Sequence, residues 1–163
     1  MTDTDALTRE AIWAVYRPRL LGREIEVYAE IDSTNARAVA LAQSGALEGL
    51  LILADHQTQG RGRLGRQWFA PPGSSLLFSF LLRPPLRVSE AQRATMFCSL
   101  AMIEAIREVT GLEATIKWPN DILLQGGKLG GVLTELGACG TALDYAVVGI
   151  GLNVNLDLTA LPP

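Results

Sequence analysis

Cysteine and histidine are scarce in this chain, whose 163 residues include two cysteines and one histidine. Cys98 and Cys139 lie far apart in the sequence and do not have the spacing of metal ligands. A disulfide framework and a zinc site are therefore excluded as organising features of the fold. We expect both thiols to be reduced.

The chain also lacks a long apolar run and an excess of basic residues. No apolar stretch reaches the length of a membrane span, and the polar N-terminal residues contain no signal-peptide core. The formal net charge is −3, whereas proteins that bind the phosphate backbone usually carry a basic excess. We therefore expect a soluble, cytoplasmic protein whose main partner is neither a membrane nor DNA.

The chain does have enough apolar residues for one good core, because 48% of its residues are hydrophobic. Periodicity and caps predict helices at residues 4–16, from the Ser33-Thr34-Asn35 triplet to Gly45, and at residues 89–109. Apolar runs predict strands at 24–31, 50–54, 75–82, 114–118, 121–124, 128–136 and 145–153. This order predicts a single α+β domain with a mixed, mostly antiparallel sheet and its helices on one side.

Residues 60–68, with the sequence GRGRLGRQW, interleave three arginines with three glycines directly after an apolar run. Glycine lets backbone N–H groups approach a bound group closely, and arginine supplies a rigid fork of donors for carboxylate or phosphate. Three arginines this close repel one another unless something negative lies between them. The arginine-glycine loop (residues 60–68) therefore predicts an anion site, and we expect it to be mobile without a ligand.

Three other phosphate-binding motifs are excluded by their context. Gly60, Gly62 and Gly65 match the dinucleotide fingerprint, but Pro71-Pro72-Gly73 follows where that fingerprint requires a helix. A kinase glycine loop is excluded because the chain contains no His-Arg-Asp triplet. A Walker A loop is excluded because Leu129 stands where a hydroxyl is required.

Five separated segments share one resemblance. They are Ser33-Thr34-Asn35, residues 57–68, residues 117–121 (KWPND), residues 128–131 (KLGG) with Glu135, and residues 149–155 (GIGLNVN). In this order they resemble the catalytic domain of biotin protein ligases, over most of the chain. The resemblance implies the fold that this domain shares with class II aminoacyl-tRNA synthetases, over residues 1–163, with residues 1–22 as an N-terminal helical extension.

The resemblance also implies a reaction in two steps. The family activates biotin with MgATP to biotinyl-5′-adenylate and then transfers the biotinyl group to a lysine of the biotin carboxyl carrier protein of acetyl-CoA carboxylase. The implied substrates are biotin and ATP with Mg²⁺, and a homodimer is compatible with the family. A carboxylate attacking the α-phosphorus brings negative charges together, so such a catalyst mainly needs cations and donors near the phosphoryl oxygens.

The resemblance assigns a set of biotin-binding residues, namely Ser33, Thr34, Asn35, Gln57, Arg61, Gly62, Arg63, Trp68, Lys128, Gly130 and Gly131. The neutral members suit a ureido ring, which has one carbonyl acceptor and two N–H donors. Trp68 is explained equally well as a core residue that anchors the loop. Gly130 and Gly131 would let a strand pass close to the ligand.

The residues implied for ATP and adenylate binding are Arg61, Arg63, Arg66, Lys117, Asn120, Asp121 and Lys128. Arg63 and Lys128 are the candidate catalytic residues. Asp121 is a candidate magnesium ligand, or a turn residue that accepts backbone N–H bonds. His56 receives no role as a base, because the attacking carboxylate is already ionised near neutral pH.

Two parts of many relatives are expected to be missing. A DNA-binding helix-turn-helix often precedes the catalytic domain, but only about two dozen residues precede the first predicted strand here. A C-terminal β-barrel that helps to complete the ATP site often follows, but the sequence stops at Pro163. We therefore expect no DNA-binding role and an incomplete set of nucleotide contacts.

Two alternatives to a biotin ligase remain open. The first is a lipoate-attaching enzyme of the same fold, which the arginine-glycine loop and the Ser33-Thr34-Asn35 triplet disfavour. The second is a biotin-binding fragment without catalytic activity. Pyrophosphate release from ATP in the presence of biotin distinguishes this fragment from an enzyme.

Overall fold

The computed structural model describes residues 7–157 and residue 159, and a seven-stranded sheet runs through these residues. The helices are α1 (Arg9–Val15), α2 (Thr34–Gln43) and α3 (Gln92–Thr110). The strands are β1 (Glu24–Ile31), β2 (Leu50–Gln57), β3 (Ser75–Leu82), β4 (Thr115–Lys117), β5 (Asp121–Leu124), β6 (Gly127–Cys139) and β7 (Ala142–Asn153). Short 3₁₀ turns lie at Arg63–Gly65 and Val88–Glu90.

The sheet is mixed and mostly antiparallel, as the sequence predicts. Its strand order is β1-β2-β3-β7-β6-β5-β4, and only the β1–β2 pair among the described strands is parallel. The long β7 lies in the centre, where it pairs with β3 on one side and β6 on the other. The predicted α+β class is therefore confirmed.

The prediction that the helices lie on one side of the sheet is wrong, because α2 and α3 cover opposite faces. Val147 packs in a cluster with residues of α2, whereas Val148 packs in a cluster with residues of α3. Successive residues of a strand point to opposite faces, so two consecutive buried valines require cover on both sides. The uninterrupted apolar run in β7 was the sequence pattern that could have predicted helices on both faces of the sheet.

Most predicted elements occur with small shifts at their ends. β1, β3 and β5 have the predicted bounds, while β2, β6 and β7 are longer than predicted. α1 begins at Arg9 after the N-cap Thr8, and residues 4–6 of the predicted helix lie outside the described residues. α3 begins later than predicted, because Val88–Glu90 forms a separate 3₁₀ turn.

Both ends of α2 are fixed by side chains, and this positions the residues at its start. The Ser33 hydroxyl caps the N-terminus by accepting a hydrogen bond from the Ala36 N–H at 3.3 Å. At the other end, the Arg83 guanidinium donates to the carbonyl oxygens of Ala42 and Ala46 at 3.0 and 3.1 Å. The triplet Ser33-Thr34-Asn35 is therefore held rigidly beside the C-terminal end of β2.

An ion pair between α2 and β1 should make stability depend on acid pH. The Arg37 guanidinium donates to both carboxylate oxygens of Glu26 at 2.8 Å, and these hydrogen bonds hold the pKa of Glu26 below its ordinary value of 4.5. The stabilisation is therefore fully present above pH 4.5 and is lost as the pH falls through the lowered pKa.

Arg37→Ala should lower the free energy of unfolding near neutral pH and flatten its decline in acid. Urea unfolding over a pH series measures both effects. Arg107→Ala is the matched control, because it removes an exposed pair with Glu104 within α3. Equal acid slopes in Arg37→Ala and the unsubstituted chain would contradict the assignment.

The two thiols are free and lie in different environments. Burial raises the pKa of Cys98 to about 11, whereas Cys139 is exposed at the end of β6.

In the part of the chain that the structure describes, no helix is long and apolar enough to cross a membrane. The same residues contain no group of three or more His, Cys, Asp or Glu side chains arranged to hold a metal ion.

Candidate functional site

A cleft of about 200 Å³ opens on the face of the sheet that carries α2. It lies where the start of α2, the end of β2, the arginine-glycine loop, β6 and β7 meet. Its lining residues are Ser33, Thr34, Asn35, Gln57, Arg61, Gly62, Arg63, Leu64, Arg66, Gln67, Trp68, Asn120, Asp121, Lys128, Gly131, Val132, Leu133, Gly149, Ile150 and Gly151.

The floor of the cleft is a buried network of neutral polar groups. Ser79, which is fully buried on β3, donates to Asn35 Oδ1 at 2.6 Å and lies 2.7 Å from Thr34 Oγ1. The backbone N–H of Thr34 donates to Gln57 Oε1 at 2.8 Å, and its hydroxyl lies 3.1 Å from the same oxygen. Thr34 already donates to the side-chain oxygen of Gln57, Oε1. The side-chain NH₂ group of Gln57 is therefore the part of this amide that can donate to a ligand.

Two glycines of β7 make room for side chains in the cleft. A Cβ at Gly149 would lie 1.9 Å from Asn35 Oδ1, and a Cβ at Gly151 would lie 2.6 Å from the Trp68 ring. Real Cβ atoms do not approach other heavy atoms this closely. The Gly149-Ile150-Gly151 sequence is therefore required for the present positions of Asn35 and Trp68.

Trp68 forms one side of the cleft and carries an unused donor. Its Nε1 atom is buried and has no hydrogen-bond partner among the described residues. Its backbone N–H donates to the Gly60 carbonyl at 2.9 Å, which closes the base of the arginine-glycine loop. Buried polar groups are normally paired, so the indole N–H of Trp68 is a polar group that the described residues leave unsatisfied.

The arginine-glycine loop is a small closed hairpin. Arg61 and Gln67 form an antiparallel bridge, and the Gly62 N–H donates to the Arg66 carbonyl at 2.7 Å. Leu64 takes a left-handed conformation at the tip, with φ of 56°. The chain turns back here without forming a long helix, which agrees with the exclusion of a dinucleotide fingerprint.

Each of three cations at the rim of the cleft has a partner of its own. Arg61 Nη1 lies 3.4 Å from Glu135 Oε1, and Arg63 Nη1 donates to Asn120 Oδ1 at 3.0 Å. Lys128 Nζ lies 2.9 Å from Asp121 Oδ1 and 5.4 Å from the centre of the Trp68 ring. The expectation of a mobile loop assumed arginines without an internal partner, and the structure provides partners for two of the three.

The structure brings most of the predicted site residues into this one cleft. Lys117 and Gly130 are the exceptions, and neither lines it. Lys117 is exposed on β4, whereas Gly130 is buried where a Cβ would lie 2.8 Å from the Gly151 carbonyl oxygen. His56 is also absent from the lining, and its Nδ1 lies 3.0 Å from Glu30 Oε2.

Sequence reasoning gave no site role to several residues that shape the cleft, although Gly149, Gly151 and Glu135 belong to the segments that carry the resemblance. Ser79 was detectable as a lone serine within the apolar part of β3, because a polar residue in a buried strand requires a partner. Gly149 and Gly151 were detectable as glycines inside an apolar strand, which signal a close approach. No local signal revealed that Glu135 contacts both Asn35 and Arg61.

Ser79→Ala tests whether the floor network stabilises the fold. We expect a loss of about 1–3 kcal/mol in the free energy of unfolding, because the Asn35 carbonyl oxygen would be left buried without its donor. Urea unfolding measures this loss. Ser44→Ala is the matched control, since it removes an exposed hydroxyl that bonds the Ala40 carbonyl. Similar losses in both variants would contradict a special role for the buried network.

Comparison with known proteins identifies relatives across nearly the whole chain. The model of the biotin/lipoate A/B protein ligase family matches residues 27–153. The chain is 37% identical to the bifunctional ligase/repressor BirA of Bacillus subtilis over 139 residues, which are 85% of this chain and 43% of that protein. It is 36% identical to the biotin–acetyl-CoA-carboxylase ligase of Mycobacterium tuberculosis, over 94% of this chain and 60% of that protein.

Solved structures agree with these relatives. The biotin protein ligase from Aquifex aeolicus in complex with biotin and ATP has a TM-score of 0.68 and 37% identity, covering 86% of this chain and 55% of that one. The ligase from Leishmania major in complex with biotinyl-5-AMP has a TM-score of 0.67 and 28% identity, covering 86% and 59%. The chain thus spans about half the length of the proteins it matches. The matched segment includes the start of α2, the arginine-glycine loop and the closing strands, and the chain therefore belongs to the biotin/lipoate A/B protein ligase family.

Proposed function

We propose that this chain activates biotin with MgATP to biotinyl-5′-adenylate and transfers the biotinyl group to a lysine of a carrier protein. The observation that carries this proposal is the division of the cleft into two chemically different parts. Its floor is neutral and rich in directed hydrogen-bonding groups, whereas its rim carries cations. A substrate with a neutral polar ring at one end and a carboxylate at the other fits this division.

The floor matches the hydrogen-bonding groups of a ureido ring. Gln57 offers amide donors to the ring carbonyl, while the hydroxyls of Ser33 and Thr34 and the Asn35 amide surround the same space. The ring and the acyl chain then pass Trp68 and the glycines of β7. Preorganised groups hold this geometry before the substrate arrives; those on α2 and β3 are buried, and Gln57 on β2 is half-buried.

The rim matches the charge that develops during adenylation. In the first step a biotin carboxylate oxygen forms a bond to the α-phosphorus, and the bond to the pyrophosphate oxygen breaks. Arg61, Arg63, Arg66 and Lys128 supply positive charge near these oxygens, and Asn120 adds an amide. We assign the main catalytic contacts to Arg63 and Lys128.

In the second step the neutral carrier amine forms a bond to the biotinyl carbonyl carbon, loses a proton, and AMP leaves. Lys128 Nζ lies 2.9 Å from Asp121 Oδ1 and, with three N–H donors, still has donors for a substrate oxygen. In the first step, the carboxylate of Asp121 would serve as a ligand of the Mg²⁺ that accompanies ATP. One carboxylate together with phosphate oxygens is a common ligand set for Mg²⁺.

The carrier, the assembly state and the cell compartment complete the proposal. The M. tuberculosis relative is named for acetyl-CoA carboxylase, and we infer that the carrier is a biotin carboxyl carrier protein in the cytoplasm.

A homodimer is compatible with the sheet, because β6 continues beyond its pairing with β5, which ends at Gly131. The Val132 N–H still donates to the Asn120 carbonyl at 2.9 Å, so residues 133–139 of β6 offer the backbone edge that the described strands leave open.

Two measurements on the same preparation test this function. Calorimetry with biotin measures the affinity of the cleft for biotin. Pyrophosphate release from MgATP in the presence of biotin, lipoate or octanoate measures which acid the chain activates. Binding and biotin-dependent release together support the proposed enzyme. Binding without release supports a biotin-binding fragment, and release only with lipoate or octanoate supports a lipoate-type enzyme.

A further inference from the structure

The Glu135 carboxylate joins the floor of the cleft to the arginine-glycine loop. Its Oε2 atom accepts from Asn35 Nδ2 at 2.8 Å, and its Oε1 atom lies 3.4 Å from Arg61 Nη1. These partners lie 100 and 74 residues away in sequence, on α2 and on the loop. The side chain of Glu135 is about one-third exposed, at 32%. The function proposed above gives this residue no role.

The contact with Asn35 fixes the direction of the Asn35 amide. A carboxylate only accepts hydrogen bonds, so it requires Nδ2 to face β6. Ser79 donates to Oδ1 on the other side of the same amide. Both ends of the Asn35 amide are therefore committed, and the floor presents one arrangement of donors and acceptors to a ligand.

The contact of Glu135 with Arg61 is weaker than its contact with Asn35. Its separation of 3.4 Å is long, and the Arg61 side chain is 49% exposed. Exposed ion pairs contribute little, typically about 0–1 kcal/mol. Such a contact restrains the loop but yields when a ligand anion competes for the guanidinium.

We propose that Glu135 is a positioning residue that couples the biotin pocket to the arginine-glycine loop. One oxygen orients the Asn35 amide, while the other retains Arg61 until the substrate carboxylate or phosphate replaces it. The proposal rests on the function proposed above for this cleft. It assigns Glu135 no contact with the reacting atoms.

Two substitutions separate the two contacts. Glu135→Gln keeps an amide oxygen that accepts from Asn35 but removes the charge that attracts Arg61. Glu135→Ala removes both contacts. Glu108→Gln on α3 is the matched control, because Glu108 is an exposed glutamate outside the cleft.

Amide hydrogen exchange of residues 60–68 without ligand tests the contact with the loop. We expect faster exchange in both Glu135 variants and unchanged exchange in Glu108→Gln. Exchange equal to that of the unsubstituted chain in Glu135→Gln would overturn the coupling. This measurement needs no substrate, so it decides the proposal even if the chain fails to bind biotin and the proposed function falls.

Calorimetry with biotin tests the contact with Asn35. We expect the Kd to rise about tenfold or more in Glu135→Ala, consistent with loss of a charge-assisted hydrogen bond. Glu135→Gln should bind biotin nearly as tightly as the unsubstituted chain, while amide exchange in its residues 60–68 stays fast. A general structural defect would instead weaken binding and raise exchange to the same relative extent in both variants, and that result would overturn the proposal.

Discussion

Lys128→Ala is expected to slow formation of biotinyl-5′-adenylate by about 100-fold to 1,000-fold, the usual effect of removing one group that stabilises developing negative charge. Lys128 Nζ lies at the rim, close to both Asp121 and the Trp68 ring. The side chain is 48% exposed and contributes little apolar burial, so the fold should persist. Single-turnover formation of the adenylate measures the effect.

Two companion variants make this result specific. Lys128→Arg retains the charge but changes its shape and donor geometry, so its activity should lie between those of the unsubstituted chain and Lys128→Ala. Arg107→Ala removes an exposed cation from α3 and should leave the rate unchanged. An adenylation rate in Lys128→Ala within a few-fold of the unsubstituted chain would remove Lys128 from the catalytic assignment.

Gly149→Ala is expected to weaken biotin binding severely and to destabilise the fold by about 1–3 kcal/mol, as overpacking of a core does. The added methyl group would lie 1.9 Å from Asn35 Oδ1. Asn35 has little freedom to retreat, because Ser79 and Glu135 hold the two ends of its amide. The substitution should therefore break the floor network, and calorimetry with biotin and urea unfolding measure the two consequences.

Gly127→Ala is the matched control for this substitution. A Cβ at Gly127 would meet only the Leu124 carbonyl oxygen, at 3.6 Å. This is an ordinary van der Waals contact, and the same chemical change should have little effect at this position. Unchanged biotin affinity in Gly149→Ala would show that the Asn35 amide is not a fixed part of the pocket.

The sequence was a good guide where short-range rules decide the structure. The bounds of β1 and β3 follow from local apolar patterning, and the start of α2 follows from the capping chemistry of Ser33. The resemblance to biotin protein ligases assembled most of the cleft residues without coordinates, because their motifs occur in a fixed order.

Features that depend on partners far apart in sequence were not predictable in the same way. Glu135 reads locally as one polar residue of a long strand, and its two contacts exist only because β6 brings it within reach of Asn35 on α2 and Arg61 on the loop. Lys117 illustrates the opposite case, since it belongs to a specific motif but lies on the exposed short strand β4. Motif membership led to the prediction of a nucleotide contact for Lys117, whereas the structure places this residue on β4, outside the lining of the cleft.

The most direct test of the central claim is detection of the activated intermediate by mass spectrometry. The 163-residue chain would be incubated with biotin and MgATP, and the bound fraction would be analysed without any carrier protein. We expect biotinyl-5′-adenylate bound to the protein, with a matching amount of pyrophosphate released. Bound biotin with intact ATP and no adenylate would contradict the claim that this cleft carries out the first step of biotinylation.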